Sequence, residues 1–270
     1  MSEFEMPRKF KNPKKNSAWK QFFVMLFSIM LAGFIGVNLY LTSQPPIQHL
    51  EDFKPNVVTK IYSADEEVIK TFTAYKFEKV DIKDVPDNIK NAIVATEDKN
   101  FYHHHGYDPI GVARSMVVNL TTGGLTQGAS TITQQLARIL FLSNEKTFDR
   151  KIKEFIVAAR IEKTLPKDKI LEMYLNNVYL GSGAYGVAGA AQIYFNKPLK
   201  DLTLAECALI AGLPQAPSVY SPYNNKKLAI ERRNQVLGRM LKMRYITKEQ
   251  YKQALDEQLR LNPNPSIYSL

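Results

Sequence analysis

From Phe22 to Leu41 the chain runs FFVMLFSIMLAGFIGVNLYL, 20 residues without a charge. That length matches the ~20 residues an α-helix needs to cross the hydrocarbon core of a bilayer. Before it stand Arg8, Lys9, Lys11, Lys14, Lys15 and Lys20, opposed only by Glu3 and Glu5. Positive residues stay on the cytoplasmic side, which sends everything after Leu41 across the membrane. Trp19 and Tyr40 flank the run where interfacial aromatics belong. A cleaved signal peptide is the competing reading, but its apolar region is usually only ~7–15 residues. Thr42-Ser43-Gln44 also lacks a small-x-small cleavage pattern, so a retained anchor is favoured. This divides the chain into a basic cytoplasmic tail (1–21), a transmembrane helix (22–41), a connector with Pro45, Pro46 and Pro55 (42–56), an extracytoplasmic domain (57–260) and a short tail (261–270).

The ~225 residues beyond the membrane are enough for one substantial core, arranged as two lobes. The single cysteine, Cys207, allows no intramolecular disulfide, and its apolar helical surroundings make it a small core residue. A net charge of +10 raises nucleic acid as a partner. No nucleic-acid-binding motif accompanies it, and outside the membrane anionic head groups and phosphorylated lipid substrates fit better.

Secondary structure reads as mainly α. Val57 to Tyr62 and Val68 to Tyr75 alternate loosely around Ser63 to Glu67 and predict a small β-hairpin. Helices are predicted from Pro86 to Ala95, Pro109 to Leu120, Ser130 to Leu142 and Phe148 to Leu165. More follow from Asp168 to Asn177, Gly186 to Phe195, Thr203 to Gly212, Leu228 to Met243 and Thr247 to Leu259.

Four clusters could carry chemistry. Glu97-Asp98 ends an apolar segment and precedes Phe101, three histidines and Gly106. Burial raises a carboxyl pKa, which suits a general base or acid near neutral pH. Adjacent residues on a helix point in different directions, so the two carboxylates need not share a task. Consecutive histidines cannot easily ligate one ion, and His104 is read as support for the Glu97 segment. In Gly128-Ala129-Ser130-Thr131-Ile132-Thr133-Gln134-Gln135, hydroxyls and amides enter a helix. They can cap it, or bind sugar hydroxyls and phosphate oxygens. Arg138, Lys146, Arg150, Lys151, Lys153 and Arg160 surround Glu154. Arg150 and Glu154 can form an i,i+4 ion pair, or the group can clamp a diphosphate. Asn176 to Gly186, with Tyr179 and Tyr185, supplies amides and aromatics that suit a sugar cleft or a helix end with its turn.

The runs EDKNFYHHHG, GASTITQQ, RKIKE, ILEMYLNNVYLGSGAYG and ALIAGLPQAPSVYSP follow one another between Glu97 and Pro222. In sequence, order and spacing they resemble glycosyltransferase family 51. These are the peptidoglycan glycosyltransferases of class A penicillin-binding proteins and their monofunctional relatives. The resemblance implies a lysozyme-like, two-lobed, mainly helical domain in the bacterial cell membrane, active in cell-wall synthesis. Its substrates would be lipid II and the growing glycan. By position Glu97 matches the family's general base, which deprotonates the GlcNAc 4-hydroxyl of lipid II. Attack on the donor MurNAc with inversion then gives a β-1,4 linkage and releases undecaprenyl diphosphate.

Glu154 matches the second carboxylate, acting at the diphosphate directly or through a divalent cation (Mg2+ or Mn2+); no organic cofactor is implied. Arg138 and Arg150 match basic residues near the diphosphate, Lys146 joins them, and Lys151 beside Arg150 is a further substrate-binding candidate. Ser130, Thr131, Gln134 and Gln135 match the donor-side motif. Asp98, Phe101, His104, Gly106, Asn176, Tyr179 and Tyr185 fall in the remaining motifs as substrate-binding candidates. Membrane lipids are expected partners, along with other cell-wall synthesis or division proteins. The S-x-x-K matches at Ser17 and Ser143 have no S-x-N or K-T-G companion, so transpeptidase activity is not expected. The hairpin looks more like the bifunctional relatives than the short monofunctional type. A lytic enzyme and an inactive lipid-binding scaffold are the competing readings.

Overall fold

The structure, a computed structural model, describes residues 14–42, 58–62, 68–73, 79–122, 130–141 and 147–263. Lys146, Gly128 and Ala129 lie outside them, as do the hairpin turn and most of the connector. The chain forms two compact units, Met1–Pro45 and Pro46–Leu270.

The described residues of the first unit form one helix, α1 (Lys14–Thr42). The whole uncharged run of the sequence falls within its helical backbone. Its described side chains, Trp19 to Phe23 and Phe27 among them, are exposed. Counting described residues alone, no helix is long and apolar enough to cross a membrane.

The second unit opens with the expected hairpin. Strands β1 (Val58–Tyr62) and β2 (Val68–Thr73) pair antiparallel, Val58 opposite Thr73, with an irregularity at Ile61/Tyr62. All other regular structure described in this unit is helical: α2 (Asp87–Glu97), α3 (Pro109–Thr122), α4 (Ile132–Phe141), α5 (Phe148–Thr164), α6 (Lys167–Asn177), α7 (Gly186–Phe195), α8 (Leu204–Gly212), the short α9 (Pro217–Tyr220), α10 (Lys226–Lys242) and α11 (Lys248–Asp256), with three 3-10 turns. The sequence predicted neither α9 nor the 3-10 turns; pieces this short carry too little periodicity to register.

Two packing groups position the site. Helix α2 packs on α8 and α10, and α4 packs on α5 and α6. Residues Ala205 to Gly212 of α8 are all buried, as expected of a helix apolar on every side. It starts at a capping box, Thr203 Oγ1 accepting from the Glu206 amide while Glu206 Oε2 accepts from the Thr203 amide. Ile89 and Ile93 of α2 are fully buried, each worth about 2 kcal/mol of burial. Close approach of α6 and α7 depends on Gly186, whose φ is +70°. A Cβ there would meet the Asn176 carbonyl oxygen at 2.6 Å.

Candidate active site

Helix α2 ends at Glu97, and the chain leaves it with Asp98 in a non-helical conformation (φ −157°). This break aims the two carboxylates apart. Glu97 faces an open cavity of about 600 Å3, and its Oε2 accepts a hydrogen bond from Gln135 Nε2 at 2.9 Å. Burial is the main influence on its carboxyl and pushes the pKa above the usual glutamate value. The Gln135 hydrogen bond and the charges of Arg232 and Arg239 oppose that rise, and neighbouring Asp98 adds to it.

Asp98 also touches the cavity, but its Oδ2 is committed to scaffold. It accepts from His104 Nε2 at 2.8 Å and from the Ile132 amide, at the start of α4, at 3.0 Å. His104 Nδ1 accepts from the Gly106 amide at 3.2 Å, which places the ring proton on Nε2, toward Asp98. Gly106 adopts φ +93°, and a Cβ there would lie 3.1 Å from the Ala158 carbonyl on α5. Its own carbonyl accepts from Thr131 Oγ1 at 2.8 Å. Asp98, His104, Gly106 and Thr131 thus weld the end of α2 to the start of α4 and set Gly106 against the later half of α5. Replacing Asp98 with Ala leaves the Ile132 amide and the His104 ring without their buried acceptor. The expected loss is about 3 kcal/mol, readable by urea denaturation.

The hydroxyl-rich run divides by direction. Thr131 and Gln134 form a capping box on α4, each side chain accepting the other's backbone amide at 3.1 Å, and both are buried. Ser130 and Gln135 line the cavity, and Thr131 also touches it. Ser130 Oγ accepts from Lys151 Nζ at 2.9 Å, and Lys151 also reaches Glu154 Oε2 at 2.7 Å. Arg150 Nη1 holds the other Glu154 oxygen. Glu154 is only 2% exposed. Burial, with the like charges of Arg138 and Arg150 beside it, lowers the Lys151 pKa below the usual lysine value.

Other expected residues lie elsewhere. Phe101 is fully buried, with Lys167 Nζ 4.5 Å from its ring centre, and it does not line the cavity. Asn176 spends its amide on the segment before α2, exchanging hydrogen bonds of 2.8 and 2.9 Å with both backbone groups of Val80. Tyr179 and Tyr185 pair with each other, rings 4.9 Å apart, away from the cavity lining.

The cavity also holds residues the sequence reading missed. Arg232, Arg239 and Lys242 reach it from α10, Arg114 from α3 and Lys99 from the turn after α2. Arg239 Nη1 donates to the Thr96 carbonyl at 2.8 Å, tying α10 to the last turn of α2. Among cavity residues, Lys99, Arg114, Arg138, Arg232, Arg239 and Lys242 outnumber Glu97, Asp98 and Asp108. A cavity so charged favours an anionic guest. Asp108 is itself engaged, by the Gly111 amide at 2.9 Å and Asn100 Nδ2 at 2.7 Å. Burial raises its pKa, but these hydrogen bonds and nearby positive charge such as Arg114 together outweigh burial and hold it below the usual aspartate value.

Residues 65–241 match the family model described as Transglycosylase. The chain belongs to the transglycosylase family. Penicillin-binding protein 1A of Aquifex aeolicus (strain VF5) is 45% identical over 244 residues, 89% of this chain and 34% of that protein. Penicillin-binding protein 1A of Neisseria gonorrhoeae is 47% identical over 235 residues, 86% of this chain and 29% of that protein. A crystal structure of penicillin-binding protein 1A from Haemophilus influenzae, at 31% identity, covers 76% of this chain and 21% of that one, with a TM-score of 0.44. This transglycosylase chain spans about a third of the length of the curated relatives it matches.

Among the described residues no three or more His, Cys, Asp or Glu side chains converge as a metal site. Both Glu154 oxygens are held by cations. The described residues do not fit a protein-held divalent cation.

Proposed function

We propose that this chain is a membrane-anchored peptidoglycan glycosyltransferase with a lysozyme-like, two-lobed catalytic domain. It would polymerise lipid II into β-1,4-linked glycan and release undecaprenyl diphosphate. The observation that carries this reading is Glu97, a carboxylate with a raised pKa in the wall of a cationic cavity, in a chain of the transglycosylase family. Glu97 takes the proton from the attacking 4-hydroxyl as that oxygen forms its bond to the donor's anomeric carbon. A base poised nearer neutrality does this more effectively than an ordinary surface glutamate.

The departing diphosphate gains negative charge as the glycosidic bond breaks. Arg138 at the cavity wall answers that charge, with Lys151 reaching the wall through Ser130 and held by Glu154, which Arg150 also pairs. A diphosphate leaves without protonation by a strong acid, so the site needs a base, positioning and charge stabilisation. The anchor is assigned from the sequence, to the uncharged run Phe22 to Leu41. Those 20 residues would span about 30 Å as a helix at 1.5 Å per residue, the thickness of a bilayer core. Catalysis beside that bilayer gives the lipid-linked substrate direct access.

Labelled lipid II incubated with the full chain in detergent should yield glycan polymer. Activity only on finished cell-wall glycan would make the protein lytic. Binding without polymerisation would make it a scaffold.

A further inference from the structure

Tyr174, on α6, is fully buried and does not line the cavity, yet it is one hydrogen bond removed from Glu97. Its hydroxyl donates to Gln135 Oε1 at 3.1 Å, and Gln135 Nε2 donates to Glu97 Oε2 at 2.9 Å. The direction of this chain follows from its chemistry. A carboxylate only accepts, so Gln135 must turn its NH2 toward Glu97, leaving its carbonyl oxygen toward Tyr174. The phenol must then donate. Burial pushes the Tyr174 pKa well above 10, so the donor persists across the working pH range.

We propose that Tyr174 is a positioning residue that fixes the Gln135 amide with its NH2 toward Glu97, pinning Oε2 and turning Oε1 toward the attacking hydroxyl. The inference rests on the assignment of Glu97 as the base. Without the phenol hydroxyl the amide can flip and set its oxygen against the carboxylate, which disfavours the ionised form a base requires. Other charges facing Glu97 come from its neighbour Asp98 and from Arg232 and Arg239 on α10. Helix α8, also packed on α2, carries one charged side chain, Glu206, which is paired with Lys197. Arg232 and Arg239 act on Glu97 through their charge, and neither donates the Gln135 hydrogen bond. Arg232 Nε is held by the Gly212 carbonyl and Arg239 Nη1 by the Thr96 carbonyl.

The test follows the Glu97 carboxyl directly. Carbon-13 NMR titration of the full chain in detergent, with carboxyl-labelled glutamate, identifies Glu97 as the resonance absent from Glu97→Gln. Tyr174→Phe should raise the Glu97 pKa by about half to one unit. Gln135→Leu should raise it comparably, and the double variant should raise it no further than Gln135→Leu alone. In polymerisation, Tyr174→Phe should lower kcat on the acid limb by roughly 2- to 10-fold, with KM little changed. An unchanged titration in Tyr174→Phe, or shifts that add fully in the double variant, would overturn the proposal. Should Tyr174→Phe fail to fold, 3-fluorotyrosine at position 174 decides. It keeps the ring and hydroxyl but donates more strongly, and must move the Glu97 pKa downward. The titration needs no turnover, so a wild type that never polymerises lipid II would sink the assignment of the base and leave the relay to be judged separately.

Discussion

Replacing Glu97 with Gln should lower the polymerisation rate by roughly 10^2- to 10^4-fold while lipid II binding stays within a few-fold. The substitution keeps the side chain's shape and can still accept the Gln135 hydrogen bond, so the cavity wall persists. What disappears is the ability to take a proton from the attacking hydroxyl. Quenched-flow turnover of labelled lipid II, paired with equilibrium binding of the same substrate, separates the two effects. A variant that retains even a tenth of the wild-type rate would move the base elsewhere.

The same substitution should stabilise the protein at neutral pH. Because burial raises the Glu97 pKa in the folded state, folding holds that proton more tightly than the unfolded chain does. The stabilisation linked to this group is fully present below the ordinary glutamate value of 4.5 and is lost as pH rises through the folded value. Ionised Glu97 is therefore a liability to the fold at pH 7, and Gln removes it. Thermal melts should show Glu97→Gln above wild type at pH 7, with the two converging below about pH 4.5. A lower melting temperature for the variant at pH 7 would mean that burial does not dominate the Glu97 environment.

The sequence made the local features legible and left the assembled ones hidden. The i,i+4 spacing of Arg150 and Glu154 announced their contact, and an apolar run ending in Glu97 announced a carboxylate with a perturbed environment. The alternating segments around Ser63 to Glu67 announced the β1–β2 hairpin. The hydroxyl-rich run allowed both capping and binding. The fold uses both, since Thr131 and Gln134 cap α4 while Ser130 and Gln135 face the cavity. The T-x-x-Q spacing at Thr131 was the available signal for that division. Arg232 and Arg239 could not be found this way. They approach Glu97 only because α10 packs on α2, a contact between segments more than 130 positions apart. Their seven-residue spacing shows that they share a face of α10, but nothing local says what that face meets. Asn176 shows the reverse case, an amide in a glycine- and tyrosine-rich run that the fold spends on Val80.

The second large effect concerns the pairing of Glu154 with Arg150 and Lys151, and it is asymmetric. The Glu154 side chain is 3% exposed, whereas those of Arg150 and Lys151 are 15% and 36% exposed. Removing the anion with Glu154→Gln leaves two cations that can swing toward water, and the expected loss is about 1–2 kcal/mol. Removing the cations together, with Arg150→Met and Lys151→Met, strands a buried carboxylate at an expected 3–5 kcal/mol. Adding Glu154→Gln to that pair should then restore most of the lost stability, because the stranded charge is gone. It should not restore polymerisation if these cations answer the charge of a departing diphosphate, and kcat should stay down by roughly 10^2-fold. Urea denaturation and turnover measured on the same three variants separate the two roles. Recovery of activity along with stability in the triple variant would reduce Arg150, Lys151 and Glu154 to a structural cluster and leave the diphosphate to the cations lining the cavity.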